Sequence, residues 1–173
     1  MKNWPLLLLT GILLLGCLPS PMTSSKVDTV AVWHGINVPM PVTWRSEMTK
    51  SKRLLIQPMK STKGAWLLLE IPSRRKPTLL GRHEDKARTE KNFSGATRSL
   101  LRWETLDAWR AKGFFKVGQS YVAFKAHIPK KASMNDSLIE DIYAITSWAG
   151  ASDRSLPKGT KLVRYPERTT TRK

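Results

Sequence analysis

The chain has a single cysteine, Cys17, among its 173 residues. Within one chain this excludes a disulfide framework, a Cys-x-x-Cys redox pair and a thiolate metal cluster. Long apolar runs are also missing. The longest, Leu6–Leu15, has ten residues, whereas a membrane-spanning helix needs roughly twenty. Histidine is scarce: His34, His83 and His127 stand apart, with no His-Glu-x-x-His and no shared metal-ligand spacing. There is no Gly-x-Ser-x-Gly and no glycine-rich phosphate loop, so the familiar nucleophile and nucleotide signatures are absent. His83-Glu84-Asp85 is the most visible acid/base fragment, and a polar helix start with carboxylates near its positive end accounts for it better. Carboxylates are few, 13 Asp and Glu against 30 Lys and Arg, for a net charge of +17. A surface this basic attracts anionic partners without needing a specific contact. We therefore expect no catalytic residues, no metal and no cofactor.

What is present begins with the short apolar run itself. Lys2 precedes it, small Gly16 closes it and Cys17 follows. Length, flanking charge and the small residue fit a secretory signal. Leu14-Leu15-Gly16-Cys17 resembles the lipobox of bacterial lipoproteins. That resemblance implies a diacylglycerol on the Cys17 thiol, cleavage before Cys17 and acylation of the new amine. Two or more acyl chains hold a protein stably at a membrane. Leu18 stands where enterobacterial lipoproteins retained in the inner membrane carry Asp, so the resemblance implies the outer membrane, facing the periplasm. Loss of Lys2 with residues 1–16 would leave +16 of the +17.

The remaining length suits one domain with an adequate core. Residues 17–28, rich in Pro and Ser, read as a flexible tether. Residues 29–150 read as a single α+β domain, and residues 151–173 as a basic, mobile tail of little periodicity. Within the domain, Thr29–Trp33 and Ile36–Pro41 flank His34-Gly35 as strands around a turn, the second alternating apolar with polar positions. Its prolines place it at a sheet edge. Leu54–Ile56 and Ala65–Ile71 form a second hairpin, and the apolar second strand suits a position covered on both faces. Ser73–Arg82 reads as an exposed basic loop, and His83–Phe93 as a weak helix or mobile segment. Residues 98–113 fit a strand, through Leu101 and Trp103, and also a helical stripe through Leu101, Thr105, Ala108 and Trp109 stopped by Gly113. Phe114–Val117 and Ser120–Ile128 make a further hairpin around Gly118-Gln119. The clearest helix is Leu138–Ala149. Ser137 and Glu140 form a capping box, Leu138, Ile142, Ile145 and Ala149 form one stripe broadened by Ile139, and Gly150 ends it.

This predicts an α+β fold: a curved antiparallel sheet built from hairpins, with a C-terminal helix packed on it. The order of a lipobox, a tether, a strand with Val38-Pro39-Met40-Pro41 before Trp44, a strand ending at Pro129 and a closing helix resembles the PsbP-like fold. Within it, the bacterial DcrB-type lipoproteins are similar. The resemblance implies a binding or assembly accessory of the envelope and carries over no functional residues.

Six tryptophans lie beyond the leader, and indoles beside cations can make a stacking and electrostatic surface. The candidate site residues are thus Cys17 for lipidation and Arg74, Arg75, Lys76, Arg102, Arg110 and Lys112 for an anionic partner, with Trp103 and Trp109 beside the last three. The expected partners are a membrane through the lipid and an envelope protein, with lipid head groups or anionic polymers as ligands of the basic face. Nucleic acid enters only where DNA crosses the envelope.

Overall fold

The computed structural model describes residues 27–59, 64–78, 88–91, 97–130 and 135–166. Among these the strands are β1 (Val27–Trp33), β2 (Ile36–Pro41), β3 (Trp44–Met48), β4 (Leu54–Pro58), β5 (Trp66–Leu69), β6 (Arg88–Lys91), β7 (Thr97–Glu104), β8 (Ala108–Val117), β9 (Ser120–Pro129) and β10 (Lys161–Arg164). The helix α1 is Asn135–Trp148, and a short 3-10 turn covers Asp153–Ser155. The fold is α+β, as expected. The strands divide between two sheets, ordered β10-β1-β2 and β3-β4-β5-β9-β8-β7-β6. Strand pairing is antiparallel except between β1 and β10.

Local chemistry sets the hairpins. His34 and Gly35 both have positive φ, 48° and 70°, which suits a two-residue turn whose twist matches the flanking strands. Among the described residues β2 pairs only with β1, so Pro39 and Pro41 sit at a sheet edge where no donor is missed. β8 and β9 pair through ten residues each around Gly118-Gln119.

One core joins both sheets to the helix. Leu54, Ile56, Leu67, Leu69, Phe124 and Ile128 point inward from the seven-stranded sheet, Val38 and Met40 from β2, and Leu138, Ile142, Ile145 and Ala149 from α1. The helix packs on β2 and β9. Each large apolar side chain buried this way contributes about 1.5–3 kcal/mol. Gly150 takes φ 84° and donates its N–H to the Asn37 carbonyl at 2.8 Å, tying the end of α1 to β2. The helix starts at Asn135, so Ser137 lies in its first turn and is not the cap. Trp44 is fully buried, and its Nε1 donates to Asp141 Oδ2 at 2.7 Å, joining β3 to the helix. Trp44→Phe keeps most of the ring but leaves that carboxylate without its indole donor. It should cost about 2 kcal/mol in urea denaturation, the scale of a hydrogen bond to a charged group; an unchanged midpoint would deny the link any weight.

Several expectations are corrected. Of residues 98–113, which fitted both a strand and a helical stripe, 98–104 and 108–113 are strand, in β7 and β8, and the helical alternative is not realised. Gly113 is no helix stop: it lies inside β8, opposite Leu100 on β7 and Phe124 on β9. Part of the segment 83–93 is strand, β6, where a weak helix or mobile segment was expected. β1 begins at Val27, two residues inside the expected tether. Residues 151–166 are built into the domain: β10 pairs with β1, and the Tyr165 hydroxyl donates to the Ser46 carbonyl at 2.7 Å. Among the described residues β5 is covered on one face only, with Leu67 and Leu69 inside and Trp66 and Leu68 half-exposed. Residues 1–26, with Cys17 and the expected leader, and residues 167–173 lie outside the described residues.

Candidate binding site

The outer face of the seven-stranded sheet, turned away from α1, carries the site. Side chains alternate between the faces of a strand, so register decides which residues meet. On this face Trp66 of β5 lies opposite His127 of β9, His127 opposite Arg110 of β8, and Arg110 opposite Trp103 of β7. The next row is Leu68, Lys125, Lys112 and Leu101. Adjacent strands are about 4.8 Å apart, so the two indoles stand about 14 Å apart with the imidazole and guanidinium between them. Trp66, His127, Arg110 and Trp103 of the first row and Lys125 and Lys112 of the second line, with Ala111 and Ala126, a groove of about 220 Å³. The Trp66 and His127 rings stack, with centroids 5.8 Å apart and planes 20° from parallel.

The polar groups of the groove are only partly engaged. Arg110 Nη2 meets Asp107 Oδ2 at 3.4 Å, while its buried Nε has no hydrogen-bond partner among the described residues. Lys125 Nζ lies 3.4 Å from Glu70 Oε1, and Glu70 also pairs with Arg53 at 2.8 Å. The Asp107 carboxyl is held below the ordinary carboxylate range, chiefly by the hydrogen bond from the Thr105 hydroxyl, with its own backbone N–H, Arg110 and His127 adding to the effect. The charged form is thus favoured in the fold. Its contribution is present above the ordinary carboxylate pKa and fades as pH falls through the lowered one. In mildly acidic solution Asp107 therefore still faces Arg110.

The residues expected from sequence divide. Arg110 and Lys112 line the groove with Trp103. Arg102 does not: it shares the inner face with Arg98 and donates to the Tyr143 hydroxyl of α1 at 3.3 Å. Trp109 is buried in the core. Positions of opposite parity along one strand point to opposite faces, which parts Arg102 from Trp103 and Trp109 from Arg110. Arg98 is itself buried, its Nη1 donating to the Tyr143 carbonyl at 3.0 Å, Thr146 Oγ1 at 3.0 Å and Ser147 Oγ at 2.7 Å. It joins helix to sheet. Arg74, Arg75 and Lys76 are exposed, but they sit at the far end of the outer face, where Ser73 bridges to Tyr121 and Lys76 Nζ lies 5.7 Å from the Phe114 ring centre. From Tyr121 to Lys125, in the nearer row of the groove, is about 13 Å of strand, and none of these three cations lines the groove.

Trp66, Lys125 and His127 complete the site and were not singled out for it. Their signal was outward alternation in β9, where Tyr121, Ala123, Lys125 and His127 share one face. His83-Glu84-Asp85 lies outside the described residues. Among the described residues no three His, Cys, Asp or Glu side chains are placed to hold a metal, and no helix is long and apolar enough to cross a membrane.

No family model matches the chain and no curated protein matches it in sequence. A crystal structure from Bacteroides thetaiotaomicron VPI-5482 is similar with a TM-score of 0.41 and 12% identity, covering 70% of this chain and 46% of that one. This chain thus matches less than half the length of that protein.

Proposed function

We propose that this protein is a lipid-anchored, non-catalytic binding protein of the bacterial envelope, and that the groove holds one unit of an anionic envelope polymer such as a phosphorylated glycan. The anchor rests on the resemblance of Leu14-Leu15-Gly16-Cys17 to a lipobox, and Leu18 in place of Asp supports the outer membrane. The observation that carries the ligand reading is the double row of Trp66, His127, Arg110 and Trp103 beside Lys125 and Lys112. Flat indole faces accept sugar or base rings, and flanking cations accept phosphates or carboxylates. A groove of about 220 Å³ falls below the roughly 300–1,000 Å³ of sites that enclose a drug-sized molecule. It suits one ring of a chain whose remainder lies along the open sheet. A purely protein-assembly role draws on the anchor and on the catalytic motifs missing from the sequence, and among the described residues it has no comparable surface behind it.

Replacing both Lys112 and Lys125 by Glu should weaken binding of purified lipopolysaccharide or an anionic wall polymer by about 10- to 100-fold, which corresponds to roughly 1.4–3 kcal/mol. Arg74→Glu with Arg75→Glu, the same change of charge outside the groove, should cost far less. Intrinsic tryptophan fluorescence reads both, and raised salt should weaken the parent steeply. Equal loss in the two double variants would reduce the groove to general charge and defeat the proposal.

A further inference from the structure

We infer that the end of the domain at which β1 begins is a rim that seats on the lipid bilayer, fixing how the anchored protein stands. The inference rests on the anchor reading above and goes beyond it to orientation. Among the described residues five large apolar side chains are exposed: Val42, Met59, Ile71, Leu106 and Leu162. Three of them share one rim, and register places them there. Val27, where the described chain begins, pairs with Pro41, next to Val42. The Met59 N–H donates to the Thr43 carbonyl at 2.7 Å, which sets Met59 beside Val42. Across the same sheet, Trp66 lies opposite His127 and Ala108 opposite Pro129. The Lys130 N–H donates to the Asp107 carbonyl at 2.9 Å, so the β7–β8 turn bearing Leu106 closes the same end. Leu106 is 99% exposed, its side chain projecting wholly into solvent.

A single exposed leucine needs no explanation. Three apolar tips at the end where the chain arrives from Cys17 form a contact for a surface lying on that side. They spread over about 20 Å, four strand spacings, which is too dispersed for a small apolar ligand and suits a plane. Trp66 opens β5 and Trp103 is one residue from the end of β7, so both indoles stand in the row nearest the rim. Indoles favour the head-group depth of a bilayer. The two carboxylates at the Leu106 corner are each met by a cation, Asp107 by Arg110 at 3.4 Å and Glu104 by Lys130 at 3.6 Å. They therefore present no bare negative patch, and the +16 that remains of the net charge of +17 once Lys2 is lost draws the anchored protein toward anionic lipids.

The tether gives the same orientation. From Cys17 to Val27 the chain can reach at most about 35 Å. The β8–β9 hairpin is ten residues long, about 34 Å. With its Gly118-Gln119 tip on the bilayer, the domain would need the whole tether drawn taut. With the rim on the bilayer, no stretching is needed.

Depth quenching tests this on the full chain carrying its lipid, in vesicles of phosphatidylethanolamine and phosphatidylglycerol that include doxyl-labelled lipid. A fluorophore is placed on Leu106→Cys, and in a separate protein on Gln119→Cys; both sites are exposed turns. Quenching should be several-fold stronger at position 106. Adding Val42→Glu and Met59→Glu should lower it toward the level at position 119. Equal weak quenching at both positions in protein that still floats with the vesicles overturns the rim and leaves the anchor intact. Protein that does not float, with no lipid mass on Cys17, overturns the anchor and the rim together.

Discussion

Ile142→Asp should leave no cooperatively folded protein at room temperature. Ile142 sits on the helical stripe with Leu138, Ile145 and Ala149 and is 1% exposed, inside the core that joins α1 to both sheets. Removing the aliphatic side chain alone costs about 2–5 kcal/mol, from lost burial and the cavity left behind. A carboxyl in its place must be desolvated without a partner, which adds several kcal/mol or forces it to protonate. The sum approaches or exceeds the roughly 5–15 kcal/mol that holds a domain together. Helix loss then spreads: Trp44 loses Asp141, Arg98 loses its three acceptors on α1, and Gly150 is no longer held to Asn37. Ile142→Val, which keeps the shape, should cost only about 1 kcal/mol. Urea denaturation followed by circular dichroism separates the two, and a parent-like transition for the Asp variant would mean that the stripe does not carry the fold.

That stripe was legible because a helix packed on one side writes its burial into a period of 3.6 residues. The β8–β9 hairpin was legible for the matching reason: Val122, Phe124, Ala126 and Ile128 alternate with half-exposed or exposed neighbours, and each is buried. Where burial does not alternate, the pattern fails. In β7, Leu100 faces in and Leu101 faces out, yet both are under 6% exposed. The period of two is erased, and a helical stripe fits as well. β10 fails the other way. Three of its four side chains are exposed, so backbone pairing with β1 holds it and no apolar pattern announces it.

The groove was legible only in part because it is assembled across strands. Trp66 and His127 stand in one row although 61 positions separate them in the chain. Charge and aromatic content along one segment pointed to Arg110, Lys112 and Trp103. Only register could add Trp66, Lys125 and His127, and only parity could remove Arg102 and Trp109. The lipid-attachment reading is of another kind: it is written in four consecutive residues and needs no fold.

Gly113→Ala should be among the most damaging single-methyl additions in the domain, and it should take the groove with it. A Cβ built on Gly113 would collide with the Ser99 carbonyl oxygen and stand 2.5 Å from the Phe124 ring. The first neighbour is backbone of β7 and cannot rotate away. The second is a core ring that is 1% exposed. Overpacking of this kind costs about 1–3 kcal/mol when side chains can give way, and more when backbone must move, so a loss of about 3 kcal/mol or more is expected. Gly118→Ala is the contrast: its Cβ would meet nothing within 4 Å and only the φ of 57° resists it, for about 1–2 kcal/mol. The route to function is short. Gly113 pairs with Leu100, and three positions on in the same ladder Arg110 pairs with Trp103. Pushing β7 from β8 at Gly113 therefore pulls Trp103 from Arg110 on the outer face. Ligand binding should fall by more than the loss of folded protein explains. If Gly113→Ala keeps the parent midpoint in urea, then β7 does not lie against β8 in this register. The row of Trp66, His127, Arg110 and Trp103 would then have to be redrawn.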